Sequence, residues 1–300
     1  MNVLITGSSG LIGTQLTRFL TENGHHVYRM QRNGQSDQPF SWDPAGGNSS
    51  MDDAIQLDAV INLSGASIAD GRWTEKRKKL ILESRINSTR LLAETLAGMQ
   101  NRPGVFISGS AIGFYGDSGE QVVDEDSKPG SNFLATVAQQ WEEATQAASA
   151  AGIRTVNMRT GVVLSPEAGM LDKLLLPFKL GLGGIVGNGK QYLSWVSIHE
   201  IVNMIQFLLE NESLSGPVNL VAREPVTNHT FTKTLGAVLK RPTLIPLPAY
   251  AVKLAFGEMG EELLLSGARV MPKRLTEAGY EFVDISLEAA LRSLLGKYEQ

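Results

Sequence analysis

TGSSGLIG, residues 6–13, stands between a short apolar run, residues 3–5, and a segment in which Leu11, Ile12, Leu16, Phe19 and Leu20 recur at helical spacing before Gly24. An apolar run of three to five residues that ends at a glycine is the pattern of a strand buried on both faces, as in a parallel sheet. The glycines then fall directly at the strand-to-helix turn, the context a dinucleotide-binding fingerprint requires. Gly7 allows the tight turn, Gly10 lets the backbone approach a pyrophosphate, and Gly13 lets the helix pack close to the sheet. The helix start adds unpaired N–H groups and the positive end of the helix dipole. On this reading Gly7, Ser9, Gly10, Leu11, Ile12 and Gly13 form the phosphate-facing loop. The spacing is G-x-x-G-x-x-G, and a glycine-rich turn without a ligand is the competing reading.

Outward from this loop the same rhythm repeats. Residues 26–31, 59–63, 105–108 and 155–159 read as strands; residues 75–99 and 133–151 read as helices. Strand and helix in alternation predict an α/β protein with a Rossmann-like, doubly wound parallel sheet. After Leu164 glycines and prolines crowd in, as in KLGLGGIVGNGK and LSGP. We therefore expect a dinucleotide-binding domain over residues 1–170, completed by about residues 197–222, and a smaller α/β domain on the substrate side over 171–300. Residues 181–190 read as a flap or an inter-domain connection, and Trp195 and His199 as cleft-lining or structural groups.

The second strand bears on the cofactor. An NAD site places Asp or Glu about 20 residues beyond the loop, against the ribose 2′-hydroxyl. Here the strand ends Met30-Gln31-Arg32. An arginine can pair with a 2′-phosphate instead, so NADP(H) is the expected cofactor and Arg32 its discriminating residue; a solvated arginine is the alternative.

Composition closes other routes. The chain has 300 residues, 42% hydrophobic and 19% charged, enough to bury a core. A net charge of −4 argues against general nucleic-acid binding. With no cysteine there can be no disulfide, thiolate metal site or cysteine nucleophile. The four histidines, His25, His26, His199 and His229, lack ligand spacing with a third partner, so no metal is expected. No G-x-S-x-G elbow marks a hydrolase. No apolar run reaches membrane-spanning length, and MNVLITGSSG lacks signal-peptide features, so no membrane partner and a cytoplasmic location are expected. The basic run RWTEKRKK, residues 72–79, could hold an anionic group at a pocket rim or simply be a solvated helix start.

TGSSGLIG, INLSGA at 61–66 and SGSAIGFYGD at 108–117 together resemble the extended short-chain dehydrogenases/reductases. WDP at 42–44, ADGRWTEKRK at 69–78, ESRI at 83–86, FLATVAQQWE at 133–142, RTGVVL at 159–164 and the tail from IPLPAY to AGYEF sharpen this. They resemble the atypical "epimerase family" of NADP-binding proteins, which carries a C-terminal domain of unassigned function. The resemblance implies cofactor contacts from Leu63, Ser64, Gly65, Arg85 and Val162. It also implies that residues 75–99 and 133–151 are helices of the kind that build homodimers.

In the parent superfamily a serine and a Tyr-x-x-x-Lys pair carry proton transfer. Ser110 matches the serine. The tyrosine and lysine positions hold Phe133 and Val137, which have neither proton nor charge to offer. Tyr115, five residues after Ser110, is the nearest alternative donor, or else an aromatic packed over the cofactor pocket. Asp117 and Glu142 are candidate carboxylate relays, with turn stabilisation and solvent exposure as their plainer roles. The expected function is an oxidoreductase or epimerase-like enzyme acting on a small molecule; a non-catalytic NADPH sensor or scaffold is the alternative.

Overall fold

The computed structural model describes residues 1–32, 39–52 and 54–296. Six strands form its main sheet: β1 Asn2–Thr6, β2 His26–Arg29, β3 Ala59–Asn62, β4 Val105–Ala111, β5 Arg154–Thr160 and β6 Gly216–Leu220. Their spatial order is β2-β1-β3-β4-β5-β6, and every pairing is parallel. The order reverses beside β1, which has β2 on one side and β3 on the other, so a crevice opens above the carboxyl end of β1.

Successive residues of these strands serve opposite faces. Val3, Ile5, Ile61 and Ile107 join one hydrophobic cluster, with Leu16 and Leu20 of helix α1 (Leu11–Glu22). Leu4, Val60 and Phe106 join another, with Leu92 and Leu96 of helix α2 (Glu75–Gly98). Both faces are covered, which is why the strands read as unbroken apolar runs rather than alternating ones. Helix α3 (Phe133–Glu143) lies beside α2. The last strand, β6, comes from beyond residue 200 and completes the sheet after helix α4 (Gly169–Lys179) and helix α5 (Ile198–Glu210).

Two sequence expectations shift. Residues 133–151 are not one helix: α3 ends at Glu143, and a short helix, Gln146–Ala150, follows. Thr145 donates both its N–H and its hydroxyl to the Glu142 carbonyl three residues back, which tightens the turn and ends the regular ladder. The second strand stops at Arg29; Gln31–Arg32 leaves the main sheet to pair with Phe40–Asp43 in a small side sheet.

The C-terminal part adds helix α6 (Asn228–Leu239), helix α7 (Ala249–Phe256), a wide π-helical turn at Glu261–Leu265 and helix α8 (Leu287–Leu294). It is fastened to the sheet domain at several points. Arg269–Val270 pairs in parallel with Val122–Val123. Arg72 donates to the carbonyls of Leu254 and Ala255, and Lys78 meets Glu258 at 2.9 Å. Arg77 donates to the Ser67 carbonyl and lies 3.7 Å from Asp70. The basic run is thus largely spent on tying α2 to its surroundings. Residues 181–190 do not form a flap over the crevice. They pack against the chain at 245–247, where Ile245 and Leu247 donate to the carbonyls of Gly183 and Ile185. A Cβ on Gly184 would fall 1.6 Å from the Ile245 carbonyl oxygen, so only glycine permits this approach.

Candidate cofactor and substrate cleft

A cavity of about 570 Å³ opens at the carboxyl end of the sheet. The glycine loop forms one wall through Gly7, Gly10, Leu11, Ile12 and Gly13. Gly7 takes φ +66°, and a Cβ there would lie 2.7 Å from the Leu63 backbone. A Cβ on Gly13 would lie 2.2 Å from the Gly7 carbonyl oxygen. Loop and helix therefore touch backbone to backbone, as a phosphate cradle requires. Helix α1 begins after Gly10 with no side chain capping its first N–H groups and no acidic residue in its first turn. In contrast, α2, α3, α5, α6 and α8 each begin with a capping side chain. The open N–H groups and the absence of a Cβ fit the diphosphate of a dinucleotide.

Leu63, Arg85 and Val162 also line the cavity. Arg85 donates to the Ile81 carbonyl of its own helix and lies 5.0 Å from the Trp141 ring, with no carboxylate partner among the described residues. Burial pulls its guanidinium down to about 10, with the Arg77 charge adding to the effect. An anion beside it would relieve that cost. Gly65 stays off the lining and gives Arg85 its room: a Cβ there would sit 3.2 Å from the guanidinium carbon. Ser64 is buried, donating to Thr6 Oγ1 at 2.9 Å. Ser9 is exposed at the loop, and Arg32 is exposed on the side sheet outside the cavity lining.

The two catalytic candidates part company. Ser110 lines the cavity and donates to Glu142 Oε1 at 2.7 Å. Tyr115 is buried and is absent from the lining. Its hydroxyl donates to Asn219 Oδ1 at 2.7 Å and accepts from Arg159 at 3.0 Å. Burial outweighs these contacts and pushes its hydroxyl up to about 12. Arg159 grips Glu142 with two nitrogens, at 2.8 and 2.9 Å, and lies 3.4 Å from the Phe114 ring centroid. Ser110, Glu142, Arg159 and Tyr115 are thus one buried network, with Ser110 at its cavity end. Glu142 is mostly withdrawn from water, with 13% of its side chain exposed, because the buried Arg159 holds it. Asp117 accepts from Gly119 within its turn.

Because its hydroxyl resists ionisation in the fold, Tyr115 links stability to alkaline pH. Its contribution is complete below the ordinary tyrosine value near 10 and is lost as pH rises from there through about 12. Up to roughly 2–3 kcal/mol is at stake. Unfolding by urea at pH 9, 10 and 11 should show this decline, and Tyr115→Phe should flatten it although it lowers stability at neutral pH. An equal slope in the variant would refute the assignment.

Glu262, from the C-terminal part, lines the cavity and was not marked by any sequence pattern. Its carboxylate accepts from the Asn132 side chain at 3.1 Å and from the N–H groups of Phe133 and Leu134, both at 3.3 Å. It caps the start of α3. Burial raises its pKa despite these contacts. Val137 lines the cavity too. Phe133 packs edge-on against Trp73 at 5.2 Å. Trp195 is in the core, donating to the Glu224 carbonyl, and His199 is exposed on α5; neither lines the cavity. Among the described residues no three histidine or acidic side chains gather as metal ligands, and no helix is long and apolar enough to cross a membrane.

This is a dinucleotide-type crevice on a Rossmann-like α/β fold. Residues 3–221 match the NAD dependent epimerase/dehydratase family, and residues 247–294 match a domain of unknown function, DUF1731. The chain belongs to that family. It is 41% identical to the epimerase family protein MT2273 of Mycobacterium tuberculosis over 290 residues, covering 96% of each chain. It is similar to the crystal structure of human epimerase family protein SDR39U1 with NADPH: TM-score 0.90, 34% identity, 99% of this chain and 100% of that one. A UDP-glucose 4-epimerase from Thermotoga maritima, solved with UDP-glucose, shares the fold at 19% identity and TM-score 0.75, covering 99% of this chain and 98% of that one.

Proposed function

We propose that the chain binds NADP(H) in this crevice and uses it to reduce or oxidise a small molecule held against the C-terminal wall. The observation that carries the reading is that one cavity is lined both by the glycine loop and by residues 192–194, 262–263 and 266–268. The likeness to a protein solved with NADPH supports the cofactor. The N–H groups of Leu11, Ile12 and Gly13 would receive the diphosphate, with Arg85 as the nearby cation, and Leu63 and Val162 would flank the rings. When bound, the cofactor supplies or accepts a hydride. Ser110 is the catalytic candidate at the cavity surface, held in place by Glu142; Tyr115 holds Arg159 and acts on the site only through that network.

Fluorescence titration of the purified protein with NADPH and NADH at one ionic strength tests this. NADPH should bind more tightly, and Arg32→Ala should narrow the preference; equal losses for both cofactors would remove Arg32 from the argument. Arg85→Met should weaken both by about tenfold, about 1.4 kcal/mol. No binding by folded protein would sink the reading. A second reading, a sensor that holds NADPH without turnover, is favoured by Phe133 and Val137 standing where proton-transfer groups are expected. Cofactor oxidation at 340 nm with a carbonyl panel, above the enzyme-free rate, separates the two.

A further inference from the structure

The lining of the cavity limits what can lie beside the cofactor. Among the described residues it contains one cation, Arg85, and one carboxylate, Glu262. Most of its other polar side chains have already committed their protons to the protein. Ser110 donates to Glu142, Thr160 to the Met158 carbonyl and Ser194 to the Ala268 carbonyl. Ser266 donates to the Glu261 carbonyl, Trp141 to Thr89 and Asn132 to Glu262. The remaining hydroxyl, that of Tyr192, makes no hydrogen bond within the described protein. Around these groups stand Ile68, Ile112, Leu134, Val137, Leu193 and Leu263.

A nucleoside diphosphate sugar is poorly served by such a wall. Its diphosphate needs cations or several N–H donors, and burying it without them is costly. Arg85 is assigned above to the cofactor's own phosphates, and Glu262 would repel a second pair. Arg269 reaches within 5.3 Å of the Tyr192 ring centroid but is not part of the lining. The sugar hydroxyls would also meet acceptors and donors already engaged. A neutral molecule with one carbonyl needs a single donor and an apolar enclosure, and that is what the lining offers.

Building on the oxidoreductase reading above, we propose that the substrate is an uncharged, mainly apolar aldehyde or ketone whose oxygen accepts from Tyr192, rather than a nucleotide sugar. In the reductive direction the carbonyl carbon receives the hydride of NADPH. The π electrons pass to oxygen, which takes the Tyr192 proton; the products are an alcohol and NADP⁺, and solvent reprotonates Tyr192.

The test is calorimetric titration of protein saturated with NADP⁺, which blocks turnover, using 4-phenyl-2-butanone and UDP-glucose as probes. The ketone should bind saturably and UDP-glucose at least about tenfold more weakly. Leu263→Asn should weaken ketone binding, and Tyr192→Phe should weaken it about three- to tenfold, both without altering NADP⁺ affinity. Tighter binding of UDP-glucose, or no ketone binding by protein shown to hold NADP⁺, overturns the substrate class. Unchanged ketone affinity in Tyr192→Phe overturns the assigned contact. Failure to load NADP⁺ at the outset defeats the cofactor reading first, and this proposal with it.

Discussion

Gly13→Val should abolish measurable NADPH binding, weakening it by about 100-fold or more, which corresponds to at least about 2.7 kcal/mol. At this position even a methyl group meets the Gly7 carbonyl oxygen at 2.2 Å and the Ser8 Cα at 2.7 Å. Neither neighbour is a flexible side chain that can turn away. Relief requires α1 to back off from the loop, and the N–H groups of Leu11 and Ile12 move with it. The proposed phosphate cradle would be lost through geometry, since no contacting side chain is removed. Gly24→Ala is the matched control. Gly24 has φ +80° and open space around it, so alanine there should cost about 1 kcal/mol of stability and leave affinity unchanged. Titrations of both variants, with circular dichroism to confirm folding, decide the point. Retention of normal affinity in Gly13→Val would remove the glycine loop from the binding site.

Glu142→Ala should be the most destabilising single change at the polar network, by about 3–5 kcal/mol. Arg159 has 4% of its side chain exposed, and Glu142 supplies both of its ion-pair contacts. Removing the carboxylate leaves a guanidinium beside Phe114 and Tyr115 without its ion-pair partner. It also frees the Ser110 hydroxyl. The paired variant Glu142→Leu with Arg159→Met should recover much of the loss, because a buried ion pair often does no better than apolar side chains of similar volume. Urea unfolding of the single and double variants measures this; a loss below about 1 kcal/mol in Glu142→Ala would show that Arg159 finds another partner.

The parts of this molecule that were legible in sequence are those in which cause and effect are neighbours along the chain. TGSSGLIG announced itself because strand, glycines and helix are consecutive. The apolar strands were legible because burial on both faces leaves an unbroken run. The bend after Glu143 was missed because a threonine hydroxyl can accommodate a helix or interrupt it, and only its contact with the Glu142 carbonyl shows which. The polar network and the Glu262 cap were illegible for a different reason. Arg159 lies 17 residues from Glu142, and Glu262 lies 128 to 130 residues from the α3 start it caps. No local pattern encodes such a meeting. The flap and connection readings of 181–190 were not separable in sequence, because glycines that permit motion and glycines that permit close packing look alike until the facing backbone at 245–247 is seen.

The capping of α3 by Glu262 makes the cleft a late product of synthesis. A ribosome that has released residues 1–221 has already delivered every strand of the main sheet, yet the lining contributed by Glu262, Leu263, Ser266, Gly267 and Ala268 is still unmade. Cofactor captured before residue 268 emerges would meet a crevice open on one side. Afterwards, ligand occupancy and docking of the C-terminal segment favour each other by the same free energy, whichever comes first. Protection of residues 258–268 against hydrogen exchange should therefore rise with NADPH concentration, although these residues lie far along the chain from the loop proposed to receive the phosphates.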